Sequence, residues 1–215
     1  MLPVVSIVGK TGSGKTQLIE RLIPEFKRRG YRVATVKHSP GGMEVDKPGK
    51  DSWRFAEAGS DAVVVSSPDK LACIKTVDHD SSIEEIWHLI GSDFDVVLFE
   101  GFKKGKAPKI EAYRKELSED LLCPAEVLSA IVTDEVLDIN VPQFPPSDTQ
   151  AIADFIEKIS IFQAKSTTSL FINGKQVFIK PFVKDIIAKA LLAMVSTLKG
   201  VGEIKNLDIS IRNKP

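Results

Sequence analysis

The stretch that most constrains the fold is GKTGSGKT, which occupies residues 9–16. It satisfies the pattern G-x-x-x-x-G-K-[ST], and its flanks fit a strand before it (3–9) and an amphipathic helix after it (15–30). A glycine-rich turn between a strand and a helix directs backbone N–H groups at phosphate oxygens, and the helix N-terminus adds a favourable field. The pattern therefore predicts a phosphate-binding loop. Its residues are Gly9, Lys10, Thr11, Gly12, Ser13, Gly14, Lys15 and Thr16.

A second motif, DVVLFEG (95–101), predicts the acidic partner of this loop. It is an apolar strand that ends in Glu100 and Gly101. A carboxylate at the carboxyl end of a strand beside a phosphate loop can hold Mg²⁺ directly or through water. Lys15 can then reach the β- and γ-phosphates, while the Thr16 hydroxyl offers a second Mg²⁺ ligand.

The fold class follows from the order of predicted elements. A second strand at 31–38 completes a βαβ unit, which requires a parallel connection. Further strands are predicted at 61–67, 71–77, 95–101, 107–114 and 127–134, and helices at 82–91 and 148–159. This order predicts an α/β domain over residues 1–162, with a mostly parallel sheet flanked by helices, of the P-loop NTPase kind.

The pattern of polar and apolar residues changes after this domain. A polar link precedes two alternating runs around Asn173 and Gly174, a strong hairpin signal, and then an amphipathic helix at 181–200 and a last strand at 203–211. The pattern predicts a small ββαβ module at 167–215. Because so short a module buries little surface alone, it must pack on the first domain or on another chain, and we expect it to add to oligomer contacts.

Composition narrows the classes of partner. Lys and Arg together number 29, as do Asp and Glu, so no overall charge favours nucleic acid or a membrane surface. Cys73 and Cys123 stand far apart, which fits two reduced thiols. The sequence lacks an 18-residue apolar run and a basic leader, so we expect a cytoplasmic protein.

The loop after the second strand, VKHSPGGMEVDKPGKDS (36–52), belongs at the same edge of the sheet as the phosphate loop. Ligands collect at the carboxyl ends of strands in open α/β sheets. Lys37 could offset phosphate charge, and either Asp46 or Asp51 could hold Mg²⁺ or orient a water molecule. A charge cluster of this kind is otherwise a solvated loop, and the sequence does not decide which aspartate faces the metal.

Lys10, Asp134 and a run of lysines each allow two interpretations. Lys10 resembles the early lysine in the deviant loops of the MinD and ArsA ATPases, which crosses a dimer, although those loops carry Gly at the position of Thr11; a solvated lysine is the alternative. Asp134 follows a strand where a guanine-binding carboxylate could stand, or it is a surface aspartate. A basic run could contact an anionic ligand or a partner, or be solvated. It comprises Lys103, Lys104, Lys106 and Lys109.

These motifs together resemble the MobB family, the molybdopterin-guanine dinucleotide biosynthesis adaptor proteins. The shared pieces are GKTGSGKT, VKH, DKPGKDS, AGSDA and VLFEGFK, in order over about residues 1–160. The resemblance implies GTP and Mg²⁺ binding with weak or no hydrolysis, and a homodimer. It also implies a partner, the nucleotidyltransferase that joins GMP to molybdopterin, and a contact with molybdopterin itself.

Site residues carry over by position. The resemblance implies that Gly12 and Gly14 shape the loop, and that Lys37, Asp51 and Gly101 line the nucleotide site. Lys15, Glu100 and Asp46 would perform what catalysis there is, and Thr16, Asp46 and Glu100 would hold the metal. Relatives commonly have further histidines after KH, whereas this chain has KHSPGGME. Roles that depend on those histidines therefore do not transfer.

Two other functions compete with the adaptor. Dethiobiotin synthetase also combines a phosphate loop, a Lys after the second strand and an EG strand end, but its loop is longer and acidic; a small-molecule kinase would need an Arg-rich lid segment. The third interpretation is an interaction module in which nucleotide only stabilises a dimer. No arginine finger and no obvious water-positioning Gln stands out near the phosphate-loop motif in the sequence, which predicts slow hydrolysis at most.

Overall fold

The computed structural model describes residues 3–91, 93–161, 168, 170–172, 175–177, 179–204 and 207–211. The strands are β1 (Val4–Val8), β2 (Val33–Lys37), β3 (Ala62–Ser66), β4 (Leu71–Lys75), β5 (Val96–Glu100), β6 (Lys109–Ala112), β7 (Ala130–Val132), β8 (Gln143–Phe144), β9 (Leu170–Ile172) and β10 (Lys175–Val177). The helices are α1 (Lys15–Arg28), α2 (Asp51–Glu57), α3 (Ile83–Ile90), α4 (Thr149–Ile156) and α5 (Pro181–Ser196).

Six strands form one sheet in the order β2-β5-β1-β6-β7-β8, and every neighbouring pair in it is parallel. β1 and β5 are buried on both faces because they lie at the centre and their residues are almost all apolar. The register aligns Ile7 of β1 and Lys37 of β2 with Glu100 of β5. The carboxyl ends of these three strands therefore meet at one edge, as the sequence predicts.

Helices cover the sheet on both faces. α1 buries Leu18, Leu22 and Phe26 in one core cluster together with α4, which is capped at its start by the Asp148 side chain. α1 continues through Pro24, so this proline does not divide the helix. On the other face α3 packs against β5, and a capping box of Ser82 and Glu85 fixes where that helix begins.

Three elements differ from the predictions. The loop predicted over 36–52 ends early, because Asp51 opens the short helix α2. Among the described residues, β3 and β4 pair only with each other, in a separate antiparallel hairpin outside the six-stranded sheet. The last predicted strand, 203–211, is wrong in its described residues, which have no strand pairing.

The C-terminal segment contains the predicted hairpin and helix. β9 and β10 pair in antiparallel fashion, although Asn173 and Gly174 of the turn lie outside the described residues. The ring of Phe171 in β9 stacks on His88 of α3 with centroids 4.1 Å apart. This stacking contact joins the hairpin to the helical layer of the main domain.

Candidate nucleotide-binding site

The phosphate loop connects β1 to α1 through backbone that only glycine tolerates. Gly9 has φ +145°, and a Cβ placed on it would lie 2.4 Å from the carbonyl oxygen of Ala112 and 2.5 Å from the Ser13 hydroxyl. Gly14 stands at the N-cap of α1 with φ +91°. The buried Ser13 hydroxyl has no hydrogen-bond partner within the described part of the chain. The loop thus combines a tight fold with polar groups that are left free for a ligand.

Lys15 folds back over this loop. Its ammonium donates to the carbonyl oxygens of Lys10 at 2.8 Å and Gly9 at 3.1 Å. Partial burial lowers the pKa of Lys15 below its usual value; Glu100 opposes this shift, and the neighbouring positive charge of Lys37 adds to it. A cation that is partly desolvated and surrounded by lysines is well placed to gain from an anionic ligand.

Thr16 and Glu100, both predicted as Mg²⁺ ligands, are joined by a hydrogen bond. The Thr16 hydroxyl donates to a carboxylate oxygen of Glu100 at 2.9 Å. These are hard oxygen donors of the kind that Mg²⁺ prefers, and Mg²⁺ usually takes only one or two protein ligands besides phosphates and water. The described residues accordingly contain no larger cluster of metal-ligating side chains. The pair fits a Mg²⁺ site completed by a nucleotide.

The strand ends on either side of Glu100 are tied together. The Gly101 N–H donates to the carbonyl oxygen of Ile7 at 2.9 Å, and the His38 N–H donates to that of Glu100 at 3.0 Å. The His38 ring packs on Phe102 with centroids 4.3 Å apart, and its Nε2 lies 2.9 Å from a carboxylate oxygen of Asp80. Sequence analysis missed Asp80, because nothing in the sequence indicates that the segment after β4 reaches the end of β2.

Lys10 is engaged within its own chain. Its ammonium donates to the Ser118 hydroxyl, in the connection between β6 and β7. In the same connection the Leu117 side chain lies 3.7 Å from where a Cβ on Gly12 would stand. The phosphate loop is therefore contacted by a segment more than a hundred residues later in the sequence, although Thr11 between these positions stays exposed.

Arg114, at the start of that connection, lies beside the phosphate loop and was not singled out from the sequence. Its Nη2 atom lies 3.4 Å from where a Cβ on Gly14 would stand. No arginine finger stands out near the motif in the sequence, and the structure brings Arg114 beside the loop from a distant part of the chain. The parallel register aligns Val8 with Glu111, so residues just after β6 come beside the loop that follows β1. The sequence does not show that β6 lies beside β1, so it could not indicate that Arg114 is near the phosphate loop.

The two aspartates of the loop after β2 are placed differently from the residues around Thr16. One carboxylate oxygen of Asp46 accepts from the Lys47 N–H at 2.9 Å, and the other is buried without a partner. Asp51 is mostly exposed and lies 3.7 Å from Arg54 in its own helix. Among the hydrogen bonds and ion pairs of the described residues, none joins either aspartate to the phosphate loop.

Of the remaining residues that the sequence suggested for the site, most are exposed and one is buried. Asp134 is exposed just beyond β7, at the same edge of the sheet. Lys103, Lys104 and Lys106 are exposed, whereas Lys109 is buried and its ammonium donates to the Gly105 carbonyl oxygen. Of the basic run, only the three exposed lysines are available to an external anion.

The fold and the site together define a P-loop nucleotide-binding protein, with a parallel sheet, a glycine-rich loop entering α1, and Glu100 bonded to Thr16. Residues 4–134 match the family model described as molybdopterin guanine dinucleotide synthesis protein B, MobB. The chain belongs to this family. The resemblance inferred from its motifs is confirmed.

Individual relatives agree with the family assignment. The molybdopterin-guanine dinucleotide biosynthesis adapter protein of Haemophilus influenzae is 39% identical over 157 residues, which cover 73% of this chain and 88% of the relative. A Methanocaldococcus jannaschii protein, provisionally given the same adapter name, is 26% identical and covers 97% of both chains, so its similarity includes the C-terminal segment. A crystal structure of MobB is 33% identical with a TM-score of 0.58, covering 72% of this chain and 98% of that one.

Proposed function

We propose that this chain is a GTP-binding adapter in the biosynthesis of molybdopterin-guanine dinucleotide. It would act in the cytoplasm, where it would bind GTP with Mg²⁺ and assist the nucleotidyltransferase that attaches GMP to molybdopterin. The observation that carries this proposal is the 2.9 Å bond between Thr16 and Glu100 beside a complete phosphate loop. The family match supports the pathway, since relatives are named for it. No helix among the described residues has the length and apolar character needed to cross a bilayer.

Each part of the site has a proposed task. The backbone N–H groups of 12–16 bind phosphate oxygens, and Lys15 turns from the loop carbonyls to the phosphates when they arrive. Mg²⁺ would supply charge neutralisation between the phosphates, held by Thr16 and Glu100. Lys37, aligned with Glu100 in the sheet, adds positive charge at the same edge. We propose that Asp46 and Asp51 join the site only when the loop that contains them closes over the nucleotide.

Guanine selectivity is assigned to Asp134. Its exposed position just beyond β7, at the carboxyl end of a parallel strand, supports this assignment. A carboxylate can accept from both the N1–H and the amino group of guanine, whereas adenine presents an acceptor at N1. The preference for GTP over ATP should therefore depend on this one side chain.

A titration tests the nucleotide part of the proposal. GTP and ATP, each with Mg²⁺, are titrated calorimetrically into the wild-type protein and into the Lys15→Ala, Asp134→Ala and Asp138→Ala variants. Lys15→Ala should lose both nucleotides, and Asp134→Ala should lose the preference for GTP. Asp138→Ala is the matched control, because it removes an exposed carboxylate nearby. Equal affinity of the wild type for GTP and ATP would disprove the guanine assignment.

Co-purification tests the adapter part. The nucleotidyltransferase should be retained by the immobilised chain with Mg·GTP and much less by the Lys15→Ala variant. Rapid turnover of ATP with a biotin precursor or another phosphoryl acceptor would instead favour the synthetase or kinase interpretation. Such turnover would overturn the adapter proposal.

The domain division and the assembly are also proposals. We propose a nucleotide-binding domain at 1–162, a C-terminal module at 167–215 and a homodimer to which the module contributes contacts. The exposed apolar side chains of α5, Phe182, Ile186 and Met194, support this role. Light scattering of the full chain and of a chain ending at residue 162 should show a weaker dimer for the shorter one. An unchanged dimer would remove the module from the interface.

A further inference from the structure

Arg114 lies near the phosphate loop, and its positive charge has no partner among the described residues. Its guanidinium lies beside Gly14, at the N-terminus of α1. Among the hydrogen bonds and ion pairs of the described residues, none engages this guanidinium. The neighbouring Lys115 differs, since it lies 3.5 Å from a carboxylate oxygen of Glu135. Of these two adjacent cations, one is paired and the other is free at the anion-binding end of a helix.

The backbone of Arg114 is held in place by its surroundings. The Leu117 N–H donates to the Arg114 carbonyl oxygen at 3.1 Å and closes a tight turn. Before it, the buried Tyr113 donates its hydroxyl to the Ser118 carbonyl oxygen at 2.9 Å. The buried Glu111 carboxylate accepts from the Leu122 N–H at 2.6 Å, farther along the same connection. The arginine thus projects from an ordered turn, which limits the entropy lost when it binds a ligand.

An unpaired guanidinium beside a phosphate loop has one obvious ligand class. Guanidinium groups match phosphate oxygens with two parallel N–H donors, and such charge-assisted bonds are stronger than neutral ones. We propose that Arg114 is a nucleotide-binding residue that contacts the phosphates seated on the loop. It would act as a cation supplied by the same chain, from the end of β6. This inference depends on the proposed nucleotide site and adds a residue to it.

The test compares two adjacent cations with two probes. Affinities for Mg·GTP and for inorganic tripolyphosphate with Mg²⁺ are measured on the wild type, Arg114→Ala, Arg114→Lys and Lys115→Ala. Arg114→Ala should weaken both ligands by about tenfold or more, because a charged hydrogen bond is lost. Arg114→Lys should recover part of the loss as a point charge, and Lys115→Ala should bind like the wild type. Because Arg114 is exposed, its variants should unfold at the wild-type temperature.

The outcomes separate this inference from the proposed function. If Lys15→Ala loses GTP while Arg114→Ala binds it like the wild type, the nucleotide site stands and the role of Arg114 is wrong. If Arg114→Ala loses GTP but keeps tripolyphosphate, the side chain contacts the base or ribose, and the phosphate assignment is overturned. An equal loss from Lys115→Ala would also overturn it, because the effect would then be general electrostatics.

Discussion

Two loops at the same edge of the sheet differ in how far they are built before any ligand arrives. The phosphate loop, 9–16, is tied by the Lys15 ammonium to two of its own carbonyls and by Thr16 to Glu100. The loop after β2, 39–50, is mostly exposed, with Met43 and Val45 turned to solvent. The difference indicates that the phosphate loop is folded before a ligand binds, whereas we expect any contribution from Asp46 to require movement of its loop.

The largest expected effect on Mg·GTP affinity is from a substitution in the phosphate loop. Replacing Lys15 by Ala removes the cation that faces the phosphates, and should weaken Mg·GTP binding by about 100-fold, or about 3 kcal/mol. Lys27→Ala, near the far end of α1 and exposed, is the matched control. Calorimetric titration measures both. A loss of less than threefold in Lys15→Ala would show that the bonded loop is not the binding element.

The same substitution in both loops tests their packing. Gly9→Ala should lower the free energy of unfolding by about 3 kcal/mol. The new Cβ would collide with the Ala112 carbonyl oxygen, and the backbone of an alanine would be strained at the φ of this position. Gly41→Ala, in the loop after β2, has open space and should change stability by less than about 0.5 kcal/mol. Urea unfolding gives both values. Similar losses at the two positions would contradict the contrast between the loops.

Removal of the Glu100 charge should act through the metal. Glu100→Gln keeps the shape of the side chain but weakens a hard ligand, so we expect about tenfold weaker Mg·GTP binding and little change for GTP without metal. Asp95→Asn, just before the opposite end of β5, is the matched control. Titrations with and without Mg²⁺ distinguish the two cases. An equal loss in both conditions would argue against a metal role.

The smallest effect is expected from the two aspartates of the exposed loop after β2. Asp46→Ala and Asp51→Ala should leave the stability of the free protein nearly unchanged and weaken Mg·GTP binding by about threefold, since neither carboxylate bonds the phosphate loop among the described residues. Hydrogen exchange should show protection of 39–50 only when Mg·GTP is present. Equal exchange with and without nucleotide would show that this loop is not part of the site.

One surface network makes the stability depend on pH. Hydrogen bonds from Arg28 and Arg29 lower the pKa of Glu25 to about 2. A carboxyl group with a lowered pKa stabilises the fold above its unfolded value, and this contribution is lost as the pH falls from about 4.5 toward 2. Glu25→Gln should therefore make the free energy of unfolding fall less steeply as the pH is lowered from about 4.5 toward 2. An unchanged pH dependence in this range would mean that other groups control it.

Much of the site was predictable because its residues are close in sequence. GKTGSGKT specifies its own turn: the glycines at 9 and 14 occupy backbone that a side chain would strain, and the next residues begin α1. The strand ending in Glu100 was predictable from its apolar run. The short helix α2 was missed because its seven residues bury no side chain and so give no periodic signal.

The sequence by itself determined the phosphate loop, the acid at the end of β5, the βαβ architecture and the family. Each of these depends on local backbone geometry or on a short pattern of apolar residues. Only the tertiary structure decided that Arg114 stands beside Gly14, that Lys10 bonds Ser118 and that Lys109 is buried. These contacts depend on which strands lie side by side. Strand order is set by the packing of the whole sheet, so a local pattern cannot reveal it.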